Sequence, residues 1–188
     1  IGVARRICET IGTLNMPSVS EKLGQMAAQA AMVEGLVYGM ESGGGYYNGY
    51  YVPDRNLMYT AQVLTQQLYP EFITSMREIA GGGLIMLPSS VKDFENPEIA
   101  RYIHATQNSA IGTSEEKVKF MKLAWDAIGS EFASRHTQYE MFYAGAQFVT
   151  RGHALRTYDW NRSKILVDDI LNSYNLEDMF EEKNVAAE

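Results

Sequence analysis

Apolar residues recur every three or four positions through most of the chain, the spacing of helices that bury one face. Ile1, Ala4, Cys8 and Ile11 share one stripe, as though the chain opens inside a helix, so it reads as a fragment of a longer protein. From Ser18 to about Met40, Leu23, Met26, Ala27, Ala30, Val33, Leu36, Val37 and Met40 mark a second helix. Ser18 and Glu21 have the spacing of a capping box behind Pro17, and Gly12 to Pro17 form the preceding turn. Glu41 to Pro53 combine glycines with four tyrosines and read as a loop. Asp54 is placed to cap a third helix whose stripe runs Leu57, Ala61, Leu64, Leu68, Ile73, Met76 and Ile79, kinked or divided at Pro70.

That helix ends at Ala80–Gly81–Gly82–Gly83, and Leu84 to Leu87 form a short run expected to be buried. Asn96–Pro97 opens a short helix through Ile103, and Gln107 to Gly112 form a loop. Thr113 and Glu116 make another capping box. Behind it, Val118, Met121, Trp125, Ile128 and Phe132 mark the inner face of a helix running to about Phe142, expected to be the longest. Tyr143–Ala144–Gly145–Ala146 interrupts it, and a short piece through Leu155 and a last helix carrying Ile165, Leu166, Ile170, Leu171 and Tyr174 follow. No run alternates with period two, so strands should be few or absent, and the expected class is all-α, an up-and-down helical bundle. The bundle is expected to occupy residues 1–180, with a frayed polar tail at 181–188.

Charge narrows the range of partners. With 16 basic and 23 acidic residues the chain carries a net charge of −7, a field that repels phosphate backbones and anionic lipid, so neither nucleic acid nor a membrane is an expected partner. No apolar run approaches the roughly 20 residues needed to span a bilayer, and the N-terminus lacks a signal-peptide pattern, which makes a cytoplasmic location the default expectation. Cys8 is the single cysteine, so this chain's own thiols form no disulfide, and Cys8 reads as a small buried helix residue.

Candidate chemistry is sparse. His104, His136 and His153 lack partners at metal-binding spacing, and the acid pairs Glu115–Glu116 and Asp168–Asp169 point in different directions from their helices. No serine sits in a nucleophile elbow. Two segments remain. The glycine turn Gly81–Gly82–Gly83 brings bare backbone to a helix end, where it either approaches a cofactor or simply closes the helix. Before Tyr143–Ala144–Gly145–Ala146, Arg135 and Gln138 share a helix face, able to grip a pyrophosphate or to meet carboxylates of another subunit.

Arg77 to Ser89, read with Phe142–Tyr143–Ala144–Gly145, resembles the 4-hydroxyphenylacetate 3-hydroxylase family, and Asn15–Met16–Pro17 and the Glu41 to Tyr51 segment agree. The resemblance extends from the opening helix to about Trp160. It implies the C-terminal helical domain of a two-component monooxygenase with an acyl-CoA dehydrogenase-like fold. Such an enzyme takes reduced FAD from a separate flavin reductase, hydroxylates a phenolic small molecule and assembles as a homo-oligomer of four subunits. By the same resemblance Gly81, Gly82, Gly83, Tyr143, Ala144, Gly145 and Ala146 are candidate flavin contacts. Catalytic residues lie outside this segment, none is assigned here, and the fragment alone is expected to be inactive. Two alternatives stay open: the same domain of a 4-hydroxybutyryl-CoA dehydratase-like FAD and iron–sulfur lyase, or a stand-alone helical interaction module.

Overall fold

The computed structural model describes residues 1–174. Eight helices follow in order: α1 Gly2–Ile11, α2 Pro17–Ser42, α3 Arg55–Ala80, α4 Pro97–Thr106, α5 Ser114–Ile128, α6 Glu131–Phe142, α7 Gln147–Thr157 and α8 Trp160–Asn172. The expected all-α class is the one observed. The C-terminal bound of the bundle at 180 and the tail at 181–188 lie outside the described residues.

The longest helices are α2 and α3, of 26 residues each and so about 39 Å long, not the segment after Thr113. They are joined by a hairpin of β1 Gly45–Tyr47 and β2 Tyr50–Val52, with Tyr46 opposite Tyr51. This corrects the reading of Glu41 to Pro53 as a loop. Asn48 and Gly49 both take positive φ, 48° and 83°, the pair of torsions a two-residue hairpin turn requires. The overlooked signal was Asn-Gly between tyrosine pairs.

Helix α3 is the central element and packs against α1, α2, α5, α6 and α7. Asp54 caps it, its Oδ1 accepting from the Leu57 amide at 2.8 Å. Pro70 leaves it undivided. Its C-terminal half supplies Ile73, Met76, Ile79 and Ala80 to the core, where they meet Ala4, Ile7 and Cys8 of α1, Met26 of α2 and Met121, Ala124 and Ile128 of α5. Burial pushes the Cys8 thiol above its ordinary pKa.

Other expectations need correction. Helix α2 starts at Pro17 behind Met16 with no side-chain cap, because proline takes the first helical position and moves the start ahead of Ser18. The segment after Thr113, whose capping box is present, breaks at Gly129–Ser130, where Ser130 Oγ accepts from the Ala133 amide at 3.1 Å and starts α6. The break resets the helical register, so Ala133 is buried while Phe132 is 75% exposed, and Trp125 also lies outside the core. Of the run Leu84 to Leu87, Leu84 is buried but Ile85 and Met86 face outward. A 3-10 turn at Gly81–Leu84 rotates them away, and the Met86 carbonyl is held by Gln107 Nε2 at 2.8 Å. In α8, Ile165, Leu166, Ile170 and Leu171 are all exposed.

Candidate functional site

The glycine turn follows from how α3 ends. Gly81 takes φ 54° and ψ −143°, a conformation that a side chain would strain, and its amide donates to the carbonyls of Arg77 and Glu78. Gly81 and Gly82 are exposed, and a Cβ built on either would meet nothing within 4 Å. Gly83 differs, since a Cβ there would lie 3.0 Å from Met121 Cε, so its bareness serves packing against α5. Arg77 Nε donates to the Ile128 carbonyl at 2.8 Å and Lys22 pairs with Glu78, which fixes the end of α3 to α5 and α2. The turn therefore offers an exposed strip of backbone on a firmly held support.

The second segment is positioned by a residue that sequence reasoning passed over. Gln66, 1% exposed on α3, donates from Nε2 to the Gly145 carbonyl at 2.9 Å and accepts from Thr150 Oγ1 at 3.0 Å. Thr150 is itself fully buried on α7. One amide side chain thus ties the α6–α7 turn to α3 from 79 residues away in sequence. Gly145, with φ 110°, makes that turn. Carrying the Ile73, Met76 and Ala80 stripe back along α3 arrives at Gln66, a polar residue on a buried face, and that was the available signal.

Between these levels Tyr69 Oη lies 3.3 Å from His136 Nδ1, and His136 Nε2 lies 2.9 Å from Glu140 Oε1. Burial, then the Glu140 charge, holds the Tyr69 hydroxyl above its ordinary pKa. Arg135 and Gln138 lie within α6 and are exposed. They share the outer surface of α6 with Phe132 and Tyr139, and Tyr139 stacks on Tyr143 with centroids 5.9 Å apart.

The two predicted segments are not brought together. Gly145 sits opposite Gln66, and Gly81 follows α3 about 22 Å further along its axis. Among the described residues no three of His, Cys, Asp and Glu are placed to hold a metal ion, and no helix is long and apolar enough to cross a membrane.

Comparison with known proteins places this arrangement. Residues 1–172 match the family described as 4-hydroxyphenylacetate 3-hydroxylase, C terminal. The chain is 33% identical over 157 residues to the 4-hydroxyphenylacetate 3-monooxygenase oxygenase component of Pseudomonas aeruginosa, covering 82% of this chain and 30% of that protein. It is also 33% identical over 177 residues to the Escherichia coli protein of the same name, covering 91% and 34%. A crystal structure of such an oxygenase component complexed with FAD and 4-hydroxyphenylacetate superposes with a TM-score of 0.85 at 28% identity, covering 91% of this chain and 36% of that one. A 4-hydroxybutyryl-CoA dehydratase from N. maritimus shares the fold, with a TM-score of 0.80 at 20% identity. The chain spans about a third of the length of these relatives. With the family matched from the first residue to the end of α8, the chain belongs to the 4-hydroxyphenylacetate 3-hydroxylase family and corresponds to its C-terminal part.

Proposed function

We propose that this chain is the C-terminal helical domain of a flavin-dependent phenol hydroxylase of the 4-hydroxyphenylacetate 3-monooxygenase type. The observation that carries the reading is the match of residues 1–172 to this family, joined to the close superposition on an oxygenase component holding FAD and 4-hydroxyphenylacetate. The complete enzyme takes reduced FAD from a separate reductase, acts on a small phenol in the cytoplasm and assembles as a homotetramer.

Within it the role of these helices is to form one wall of the flavin chamber. The exposed backbone of Gly81 and Gly82 admits the close approach of a flat ring or a phosphate, and Gly83 seats the turn on Met121. Tyr143, Ala144, Gly145 and Ala146 present a second edge whose position Gln66 and Thr150 set. Their separation along α3 fits contacts to different parts of the cofactor, or to flavins of two subunits. Bound FAD supplies the activation of dioxygen; the domain positions the flavin and keeps water from it. The catalytic side chains belong to the rest of the longer protein, so the domain by itself is inactive.

The test is to express the full reading frame, supply reduced FAD and oxygen, and look for the catechol formed from 4-hydroxyphenylacetate and related phenols. Oxygen-dependent product supports the proposal. Dehydration of a 4-hydroxyacyl-CoA thioester, with three cysteines and a histidine found in the remaining sequence, would instead assign the domain to the lyase branch.

A further inference from the structure

Helices α2, α3 and α6 border an open cleft of about 250 Å³, lined by half-buried residues, that the flavin reading does not use. Ala30 and Val33 of α2 and Leu68 and Phe72 of α3 form its apolar walls, and Gln29, Thr65, Tyr69 and Glu140 supply its polar groups. At this volume it suits a molecule smaller than a drug-sized ligand.

The polar groups are biased toward accepting hydrogen bonds. Glu140 Oε1 is a carboxylate oxygen that can only accept, so the proton of His136 lies on Nε2, 2.9 Å away. In the neutral ring Nδ1 is then a lone pair, and it takes the Tyr69 hydroxyl proton at 3.3 Å. Thr65 Oγ1 has given its proton to the Ala61 carbonyl at 2.8 Å, and Gln29 Nε2 donates to Glu71 at 2.9 Å. What remains are lone pairs on Tyr69, Thr65 and Gln29 Oε1, together with Glu140 Oε2, against a single donor, the second Nε2–H of Gln29. Among the described residues Glu140 is paired with His136 and with no lysine or arginine, and Glu71, which does not line the cleft itself, accepts from its lining residue Gln29. Lone pairs, an anionic carboxylate and two aromatic rings against apolar walls select a donor-rich cation on a short apolar stem.

We infer that this cleft binds a small organic ammonium ion, an arylalkylamine in class, its ammonium at Glu140 and Tyr69 and its stem between Val33, Leu68 and Phe72. The site is one of binding, since the Tyr69 proton is already committed to His136.

The probe is 2-phenylethylamine, titrated at pH 7 into the full chain by calorimetry and amide chemical-shift mapping, beside 2-phenylethanol and phenylacetate. The amine binds saturably, about tenfold more tightly than the alcohol, and phenylacetate does not bind. Glu140→Gln reduces amine affinity about tenfold and leaves the alcohol unchanged. Ala30→Leu, which fills the cleft without touching a charge, abolishes binding of both, and circular dichroism establishes that each variant is folded. Equal affinity for amine and alcohol, unchanged amine affinity in Glu140→Gln, or shifts mapping away from α2, α3 and α6 would overturn the inference. So would equal binding of Nα-acetyl-lysine methylamide, which would reassign the cleft to a side chain of another protein.

Discussion

Replacing Gln66 by leucine keeps the side chain close to its original volume but removes both of its hydrogen bonds, so the cost is a direct reading of how the α6–α7 turn is held. Two bonds are lost, to the Gly145 carbonyl at 2.9 Å and from Thr150 Oγ1 at 3.0 Å. The consequences for the partners differ. Thr150 Oγ1 also lies 3.0 Å from the Gln147 carbonyl, so its proton keeps an acceptor. Gly145 is only half-buried, so water reaches its carbonyl in part and the penalty falls in the lower half of the range for an abandoned polar group. The sum is about 1–2 kcal/mol, which in a domain of this size lowers the melting temperature by roughly 3–6 °C. Gln66→Glu costs more, about 3 kcal/mol or above, because a carboxylate cannot donate to the Gly145 carbonyl and is buried without a countercharge. Urea denaturation followed by circular dichroism measures these values, and a cycle with Thr150→Val isolates the pair, with an expected coupling of about 0.5–1.5 kcal/mol. If Gln66→Leu melts within 1 °C of the parent, or the two substitutions add within about 0.3 kcal/mol, the turn is held by something else.

Three further outcomes follow from the same geometry. Gly81→Ala forces a side chain onto φ 54° and ψ −143° and is expected to cost about 1–3 kcal/mol in urea denaturation, although open space surrounds it. Ser130→Ala removes the cap that starts α6 and is expected to cost about 1 kcal/mol, read by the same denaturation. The buried Cys8 thiol is expected to react with a thiol reagent only as fast as the chain opens. Because its folded pKa is raised, the stability it contributes is complete below the unfolded thiol pKa near 8.5 and declines as pH rises above it, which a denaturation series from pH 7 to 10 measures.

Element type was legible wherever periodicity and capping coincided. Asp54, Asn96–Pro97 and Thr113 with Glu116 mark real helix starts, each using a short side chain to satisfy an amide that the helix leaves open. Failures came where a local signal opposed a longer pattern. The helical spacing from Val118 to Phe132 ran through Gly129–Ser130, although a glycine followed by a capping serine is a stop and a start. Tyrosine-rich Gly45 to Val52 was read by its glycines, whereas Asn48–Gly49 determined its fold. At the site, the glycine turn was visible because its chemistry is local. The Gln66–Gly145–Thr150 linkage was not, because it joins α3 to the α6–α7 turn and to α7, whose adjacency to α3 no sequence spacing records.

Pro70 carries a last implication for α3. Lacking an amide hydrogen, it cannot bond the carbonyl four residues earlier, and that carbonyl belongs to Gln66. The rod therefore misses a rung at the very residue whose side chain anchors the α6–α7 turn. The two ends of α3 are mechanically joined there by one bond fewer than elsewhere, so a bend admitted at this point would tilt the Gly145 edge while leaving the glycine strip beyond Ala80 seated on its core.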